Sequence, residues 1–328
     1  MRGESLSAPE AAKFFQALTD PITGSNQIAG ALTALTAKGE THEELAGMAS
    51  VMRTLAAKVK PPKLAVDIAG TGSSAAKTFN VSTAAALVAV GAGLSIAKQT
   101  NRGVSTKIGS ADVLSELGVK AANDPRAAQA SLTGTGLTFL FAPKFYPSLR
   151  RLADVRSSLG IRTCLNVLAL LANPAGVSRQ IVGVWHKSLI EPVAKALSLL
   201  KAENAWVVHG SDGLDEVTLT GKTYVGAVKG TEVRPYMISP ADFGLKAGKT
   251  DHLRVKTVKE SAQIIRDVLS GKRRDEARSL VVLNAAAALI VGGIDADPMH
   301  AARLAERSID SGQAQNKLER LIQISNKN

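Results

Sequence analysis

The sequence predicts an α/β protein, with a small N-terminal helical domain ahead of a large domain built on a mainly parallel central sheet. Three observations predict it. Residues 8–60 read as helical. Lys60-Pro61-Pro62-Lys63 then breaks the helical signal. From residue 64 onward short apolar runs alternate with helical stretches, the order that gives parallel pairing through crossover helices. The boundary is placed there, giving a helical domain over 1–62 and an α/β domain over 63–328.

Within the first domain Leu45, Met48, Met52 and Leu55 fall on one helical face. Thr41 is placed as an N-cap, and Glu44 three residues on completes a capping box. The strand candidates are Leu64–Ile68, Leu94–Ala97, Leu137–Phe141, Ile181–Val184 and Trp206–His209. The helix candidates are Thr83–Val90, Ser110–Leu117, Pro125–Ser131, Leu189–Leu200, Ser261–Ser270, Ala277–Val291 and Pro298–Asp310. Val217–Val228 alternates around Gly221-Lys222, which reads as a hairpin.

With 328 residues, 45% hydrophobic and 21% charged, the chain is long enough for a large core. The longest uncharged apolar stretch, Val81–Ala97, is shorter than the ~20 residues of a membrane span. Gly91, Gly93 and Ser95 interrupt it, so it reads as a buried helix–strand unit. Met1–Ser5 lacks the apolar core of a signal peptide, so no membrane is expected and the expected location is the cytoplasm. One cysteine, Cys164, excludes an intramolecular disulfide and any multi-cysteine zinc site, and reads as a buried thiol in an apolar helix. The net charge of +12 suits nucleic acid, a membrane surface or anionic small molecules. Aromatic residues make up only 4%, which argues against stacking platforms for single strands, so nucleic acid is not favoured.

The chemistry concentrates between Leu64 and Ser110. An apolar strand runs into Gly70-Thr71-Gly72-Ser73-Ser74-Ala75, where small residues let backbone N–H groups approach an anion. The form matches a dinucleotide fingerprint, but the acidic residue required about 20 positions later is missing from Val90–Lys98. Phosphate binding or a bare strand-to-helix turn remain. Asn80, Ser82 and Thr83 sit where a helix starts and serve equally as caps. Lys98-Gln99-Thr100-Asn101-Arg102, with Ser105, Thr106, Lys107 and Ser110, reads as a polyanion contact or an exposed polar loop. In His209–Glu216 the carboxylates Asp212, Asp215 and Glu216 read as a hard-oxygen site suited to magnesium or as an acidic surface turn, with adjacent Asp215 and Glu216 favouring the metal and His209 a strand-end residue.

Together these residues resemble the anthranilate phosphoribosyltransferase family, within the wider group that includes pyrimidine nucleoside phosphorylases. The resemblance rests on Gly70-Thr71-Gly72, Thr78–Thr83, Gly109–Leu114, Phe139–Pro143, Val155-Arg156, Leu159–Thr163, Asn173-Pro174 and His209–Glu216, in order along nearly the whole chain. It implies the fold of nucleoside phosphorylases and class II phosphoribosyltransferases, with a helical segment near 154–178 completing the helical domain, and a homodimer paired through that domain. It implies transfer of a phosphoribosyl group from phosphoribosyl pyrophosphate to the amine of anthranilate, with Mg2+, in tryptophan synthesis. By the same resemblance Gly70, Thr71, Gly72, Ser73, Ser74, Thr78, Asn80, Ser82, Thr83, Lys98, Asn101, Arg102, Thr106 and Ser110 would bind phosphoribosyl pyrophosphate. Gly70, Asn101 and Arg156 would contact anthranilate, with Arg156 facing its carboxylate, and Ser82, Asp215 and Glu216 would hold the metal.

The chain departs from the family at three places. Ser73-Ser74-Ala75 replaces Gly-Asp-Gly, Gln99-Thr100 replaces His-Gly, and Ala169-Leu170 replaces Gly-Pro. A β-branched Thr100 in place of glycine implies a rearranged loop beside the amine site. The alternatives are another aromatic acceptor, a catalytically weakened binder of polyanions or nucleic acid, and a pyrimidine nucleoside phosphorylase. Arg156 and the His209–Glu216 loop favour the anthranilate branch over the last of these.

Overall fold

The computed structural model describes residues 3–72, 78–103 and 108–327. The N-terminal body consists of α1 (Ala8–Thr19), α2 (Ser25–Lys38) and α3 (His42–Leu55). The predicted capping box forms at α3: the Glu44 N–H donates to Thr41 Oγ1 at 3.2 Å, and the Thr41 N–H to Glu44 Oε2 at 2.8 Å. Glu44 does more than cap. It is fully buried, accepts from the Leu6 N–H at 3.0 Å, and pairs with Lys38 Nζ at 2.8 Å. One carboxylate therefore ties the N-terminal segment, α2 and α3 together.

The larger body runs β1 (Val66–Gly70), α4 (Val81–Gly91), β2 (Ile96–Thr100), α5 (Ser110–Glu116), α6 (Pro125–Thr135), β3 (Leu137–Phe141) and α7 (Ala142–Phe145). It continues through α8 (Arg150–Leu159), α9 (Cys164–Leu171), β4 (Arg179–Gly183), α10 (Ile190–Leu199), β5 (Asn204–Gly210), β6 (Thr223–Lys229) and β7 (Glu232–Ile238). It closes with α11 (Val258–Leu269), α12 (Glu276–Gly292), α13 (Pro298–Asp310) and α14 (Gln313–Ser325). Among the described residues the sheet order is β3-β2-β1-β4-β5-β6-β7, parallel through β5 and antiparallel at β6 and β7.

Alternating strand residues feed two cores. Val66, Ile68, Ile96 and Phe139 face α4 and α12, and Ala65, Ala69, Ala97 and Leu140 face the side of α1–α3, α8 and α9. The Ala-rich α4 and α12 are apolar on all sides because each is sandwiched. No helix among the described residues is long and apolar enough to cross a membrane.

Three expectations are corrected. β2 ends at Thr100, not Ala97, so Lys98, Gln99 and Thr100 are strand residues in register with Phe139, Leu140 and Phe141. Among the described residues Lys201 is the only non-glycine with positive φ, so Thr100, a strand residue, carries no backbone strain. The hairpin turn is at Gly230-Thr231 between β6 and β7, not at Gly221-Lys222. Val217 is held out of the sheet by buried Asn284, which accepts from its N–H at 3.0 Å and donates to its carbonyl at 2.9 Å.

Candidate functional site

The sheet order reverses between β1 and β4, and open parallel sheets bind ligands beyond the strand ends at such a point. Gly70 and Gly183 are the paired last residues of these strands. The loop after β5 crosses both of them. A Cβ on Gly183 would lie 1.6 Å from the Asp215 carbonyl oxygen, and one on Gly70 would lie 2.9 Å from it. Only glycine at both ends lets the loop lie this low. Above it opens a cleft of about 260 Å³.

The predicted residues arrive from separate elements. Gly70, Thr71 and Gly72 form its floor after β1, and Thr78, Asn80 and Ser82 border it at the start of α4. Lys98 rises from β2, with Asn101 and Arg102 beyond the strand end and Ser110 opening α5. Arg156 of α8, Asp215 and Glu216 also line the cleft. Thr83 is not brought to the cleft and is fully buried. Ser73, Ser74 and Thr106 lie outside the described residues.

The hydrogen bonds show which groups are already engaged. Asp215 Oδ2 accepts from the Gly72 N–H at 2.7 Å and from Thr71 Oγ1 at 2.8 Å, which locks the glycine turn to the β5 loop. Glu216 Oε1 accepts from the Ser82 N–H at 3.0 Å. Thr100 Oγ1 and Ser110 Oγ lie 2.5 Å apart, and the Ser110 hydroxyl holds the Asn101 backbone. Asn80 is the N-cap of α4 by position, yet its side chain makes no cap hydrogen bond. Its carboxamide is turned elsewhere. His209 Nδ1 meets the Val184 carbonyl at 2.8 Å, the strand-end role expected for it. Asp212 does not join the carboxylate cluster. It accepts from Thr218 Oγ1 at 2.7 Å and Thr220 Oγ1 at 2.9 Å and shapes the loop instead.

The electrostatics are those of several charges buried close together. Burial, then the neighbouring Asp215 charge, push Glu216 up to about 8. Its Oε2 is enclosed without a hydrogen-bond partner, although the residue keeps partial exposure. Beneath, Lys98 Nζ donates to the Ile68 carbonyl. Burial lowers the Lys98 pKa, while Asp67, Glu216 and Asp215 favour its charged form. Burial raises buried Asp67 to about 6 against the pull of Lys98. Asn173 Nδ2 bridges Asp67 and the Ala97 carbonyl, 2.7 Å from each. Across the cleft burial lowers the Arg156 pKa, and no carboxylate among the described residues pairs with it. Sequence reading passed over Asp67, Gly183 and Asn284. Each left a signal: a charge inside an apolar strand, a glycine ending one, and an amide inside the apolar run 280–291 of α12.

The carboxylate pair fits magnesium. Two adjacent carboxylates with one enclosed, unpartnered oxygen suit a small hard cation that completes its shell from water and phosphate. Metal binding needs the ionised carboxylate. Because Glu216 titrates near 8, magnesium affinity is expected to fall as pH drops below that, by up to about tenfold per pH unit. Since the folded pKa lies above the unfolded one, the metal-free site loses stability as pH rises from about 4.5 to about 8. Calorimetric magnesium titrations with pyrophosphate present, across this range, check the first point. A flat profile would remove Glu216 from the metal site.

The fold that carries this cleft is matched by known proteins. Residues 62–315 match the a/b domain of the glycosyl transferase family, and residues 1–56 match its helical bundle domain. Fold and site thus define a two-part glycosyl transferase. An anthranilate phosphoribosyltransferase of Rubrobacter xylanophilus is 44% identical over 98% of this chain and 94% of its own. One from Rhodospirillum rubrum is 44% identical over 98% and 92%. The crystal structure of the Thermus thermophilus enzyme superposes with a TM-score of 0.93 at 35% identity, covering 99% of this chain and 97% of that one. The Saccharomyces cerevisiae enzyme in complex with PRPP and Mg gives 0.89 at 28% identity, covering 98% and 94%. The chain belongs to the anthranilate phosphoribosyltransferase family.

Proposed function

We propose that this chain transfers the phosphoribosyl group of phosphoribosyl pyrophosphate to the amine of anthranilate, releasing pyrophosphate, as a step of tryptophan synthesis. One observation carries the reading. A glycine turn locked to Asp215, which with Glu216 makes a carboxylate pair, lines the same cleft as an arginine without an anionic partner among the described residues. That arrangement offers one end to a phosphorylated sugar and the other to a carboxylated acceptor.

The residues divide the work. Gly70, Thr71, Gly72, Thr78, Asn80 and Ser82 hold the phosphorylated donor, and Lys98 sets a positive charge below the carboxylates. Arg102 and Ser110 border the donor at the end of β2. Arg156 pairs with the anthranilate carboxylate and Asn101 orients the ring. Asp215, Glu216 and Ser82 would hold Mg2+, which supplies charge stabilisation to the departing pyrophosphate. The amine of anthranilate is already a free nucleophile. The protein's contribution is therefore positioning, and no side chain is assigned as general base.

The wider organisation follows the same reading. The chain divides at 62/63, and α8 and α9 join the core of α1–α3 to complete the helical body. Pairing as a homodimer through that body and work in the cytoplasm complete the proposal. A second reading, transfer to another aromatic amine, is favoured by Gln99, Ala169 and Leu170, which line the same cleft as Arg156 and depart from the family pattern. Pyrophosphate release tests both. It should require an acceptor, with anthranilate the fastest among aromatic amines. Faster release with another amine would favour the second reading, and release without any acceptor would contradict both.

A further inference from the structure

We propose that Ser261 is a positioning residue for the phosphorylated donor, acting through Asn80. This rests on the transferase reading above. Ser261 lies in the first turns of α11, is fully buried, and is 181 residues from Asn80 in sequence. Its hydroxyl donates to Asn80 Oδ1 at 2.9 Å, and the hydroxyl oxygen in turn accepts the Asn80 backbone N–H at 3.0 Å. One hydroxyl therefore grips both ends of the residue. A second clasp lies beside it, where the Phe79 N–H donates to the Leu253 carbonyl at 3.2 Å.

The grip decides which way the carboxamide faces. The Ser261 hydroxyl carries one hydrogen, and Asn80 Oδ1 takes it. Turning the carboxamide over would break that bond and set a second N–H against the hydroxyl oxygen that already accepts the Asn80 backbone N–H. Oδ1 is therefore committed to Ser261. The amide NH2 has no protein partner among the described residues, and Asn80 borders the cleft. An NH2 donates to phosphate or ribose oxygens, whereas a carbonyl oxygen turned that way would repel them. The helix-capping alternative for Asn80 is not used, since its side chain caps nothing.

The test is a double-mutant cycle on the full chain. Ser261→Ala should raise the KM for phosphoribosyl pyrophosphate about fivefold to twentyfold, with kcat and the KM for anthranilate nearly unchanged. Asn80→Ala should raise it at least as much, and adding Ser261→Ala to Asn80→Ala should raise it by clearly less than Ser261→Ala does alone, the remainder being the lost bond to the position-80 backbone N–H. Ser261→Cys keeps the bulk and replaces the hydroxyl by a weak donor, and gives the same reading should the alanine variant not fold. Unchanged KM in Ser261→Ala, or effects that simply multiply in the double variant, would overturn the inference. Calorimetry of the parent protein with phosphoribosyl pyrophosphate and magnesium separates the two levels. No binding by the parent defeats the transferase reading itself, while parent binding with an unaffected Ser261 variant defeats only this one.

Discussion

Replacing Asp215 and Glu216 together, as Asp215→Asn with Glu216→Gln, is expected to lower magnesium-dependent turnover by about 10³-fold or more with the fold intact. The reasoning separates charge from shape. The amide at position 215 would still offer an oxygen to the Gly72 N–H and the Thr71 hydroxyl, the two bonds that lock the glycine turn. The amide at position 216 would still accept from the Ser82 N–H. What disappears is the negative charge that the pair takes on when it holds a cation, Glu216 Oε2 having no hydrogen-bond partner of its own. The metal-free variant should be at least as stable as the parent at neutral pH, because Glu216, held up at about 8, must take up a proton on folding and a glutamine need not. Circular dichroism and thermal melting check the fold, and steady-state rates at saturating magnesium check the function. Turnover near the parent's would end the metal role for this pair.

The second large effect is expected at a residue that never touches a ligand. Gly183→Ala places a Cβ 1.6 Å from the Asp215 carbonyl oxygen, where no side-chain rotation can relieve it. The loop carrying Asp215 and Glu216 must lift. Overpacking of this kind costs about 1–3 kcal/mol. A shift of about 1 Å in a positioned site lowers kcat/KM by about 10²-fold. Gly70→Ala, with its Cβ 2.9 Å from the same oxygen, should do the same more mildly. The order of the two variants in both melting temperature and kcat/KM is the check. A Gly183→Ala enzyme with parental kinetics would mean that the loop does not rest on the strand ends.

Much of this was legible in the chain, and the reasons differ by element. The Thr41–Glu44 box was readable because capping is local chemistry, although nothing in the sequence announced Glu44 as the hub for Leu6 and Lys38. Pro298–Asp310 was placed to the residue because a proline start and a strong apolar stripe mark it. α14 was missed despite its apolar residues at helical spacing, since it begins on Gln313 after a glycine rather than on a cap side chain. The end of β2 was missed for a physical reason. Lys98 and Gln99 are polar, so the run looked like a loop, but both are buried strand residues. The conflict between local polarity and burial marks the functional site. Asp212 misled in the opposite direction. Three carboxylates in five residues look alike in sequence, and only the hydroxyls of Thr218 and Thr220 show that one of them is structural. Ser261 was invisible because its partner lies 181 residues away.

The most direct measurement mixes the purified chain with magnesium, phosphoribosyl pyrophosphate and anthranilate and follows anthranilate fluorescence. The account predicts a loss of fluorescence that stops when any one component is withheld. It further predicts that the rate returns when the missing component is restored. Unchanged fluorescence from a protein shown to be folded and to bind phosphoribosyl pyrophosphate would contradict anthranilate as the acceptor and pass the site to another amine.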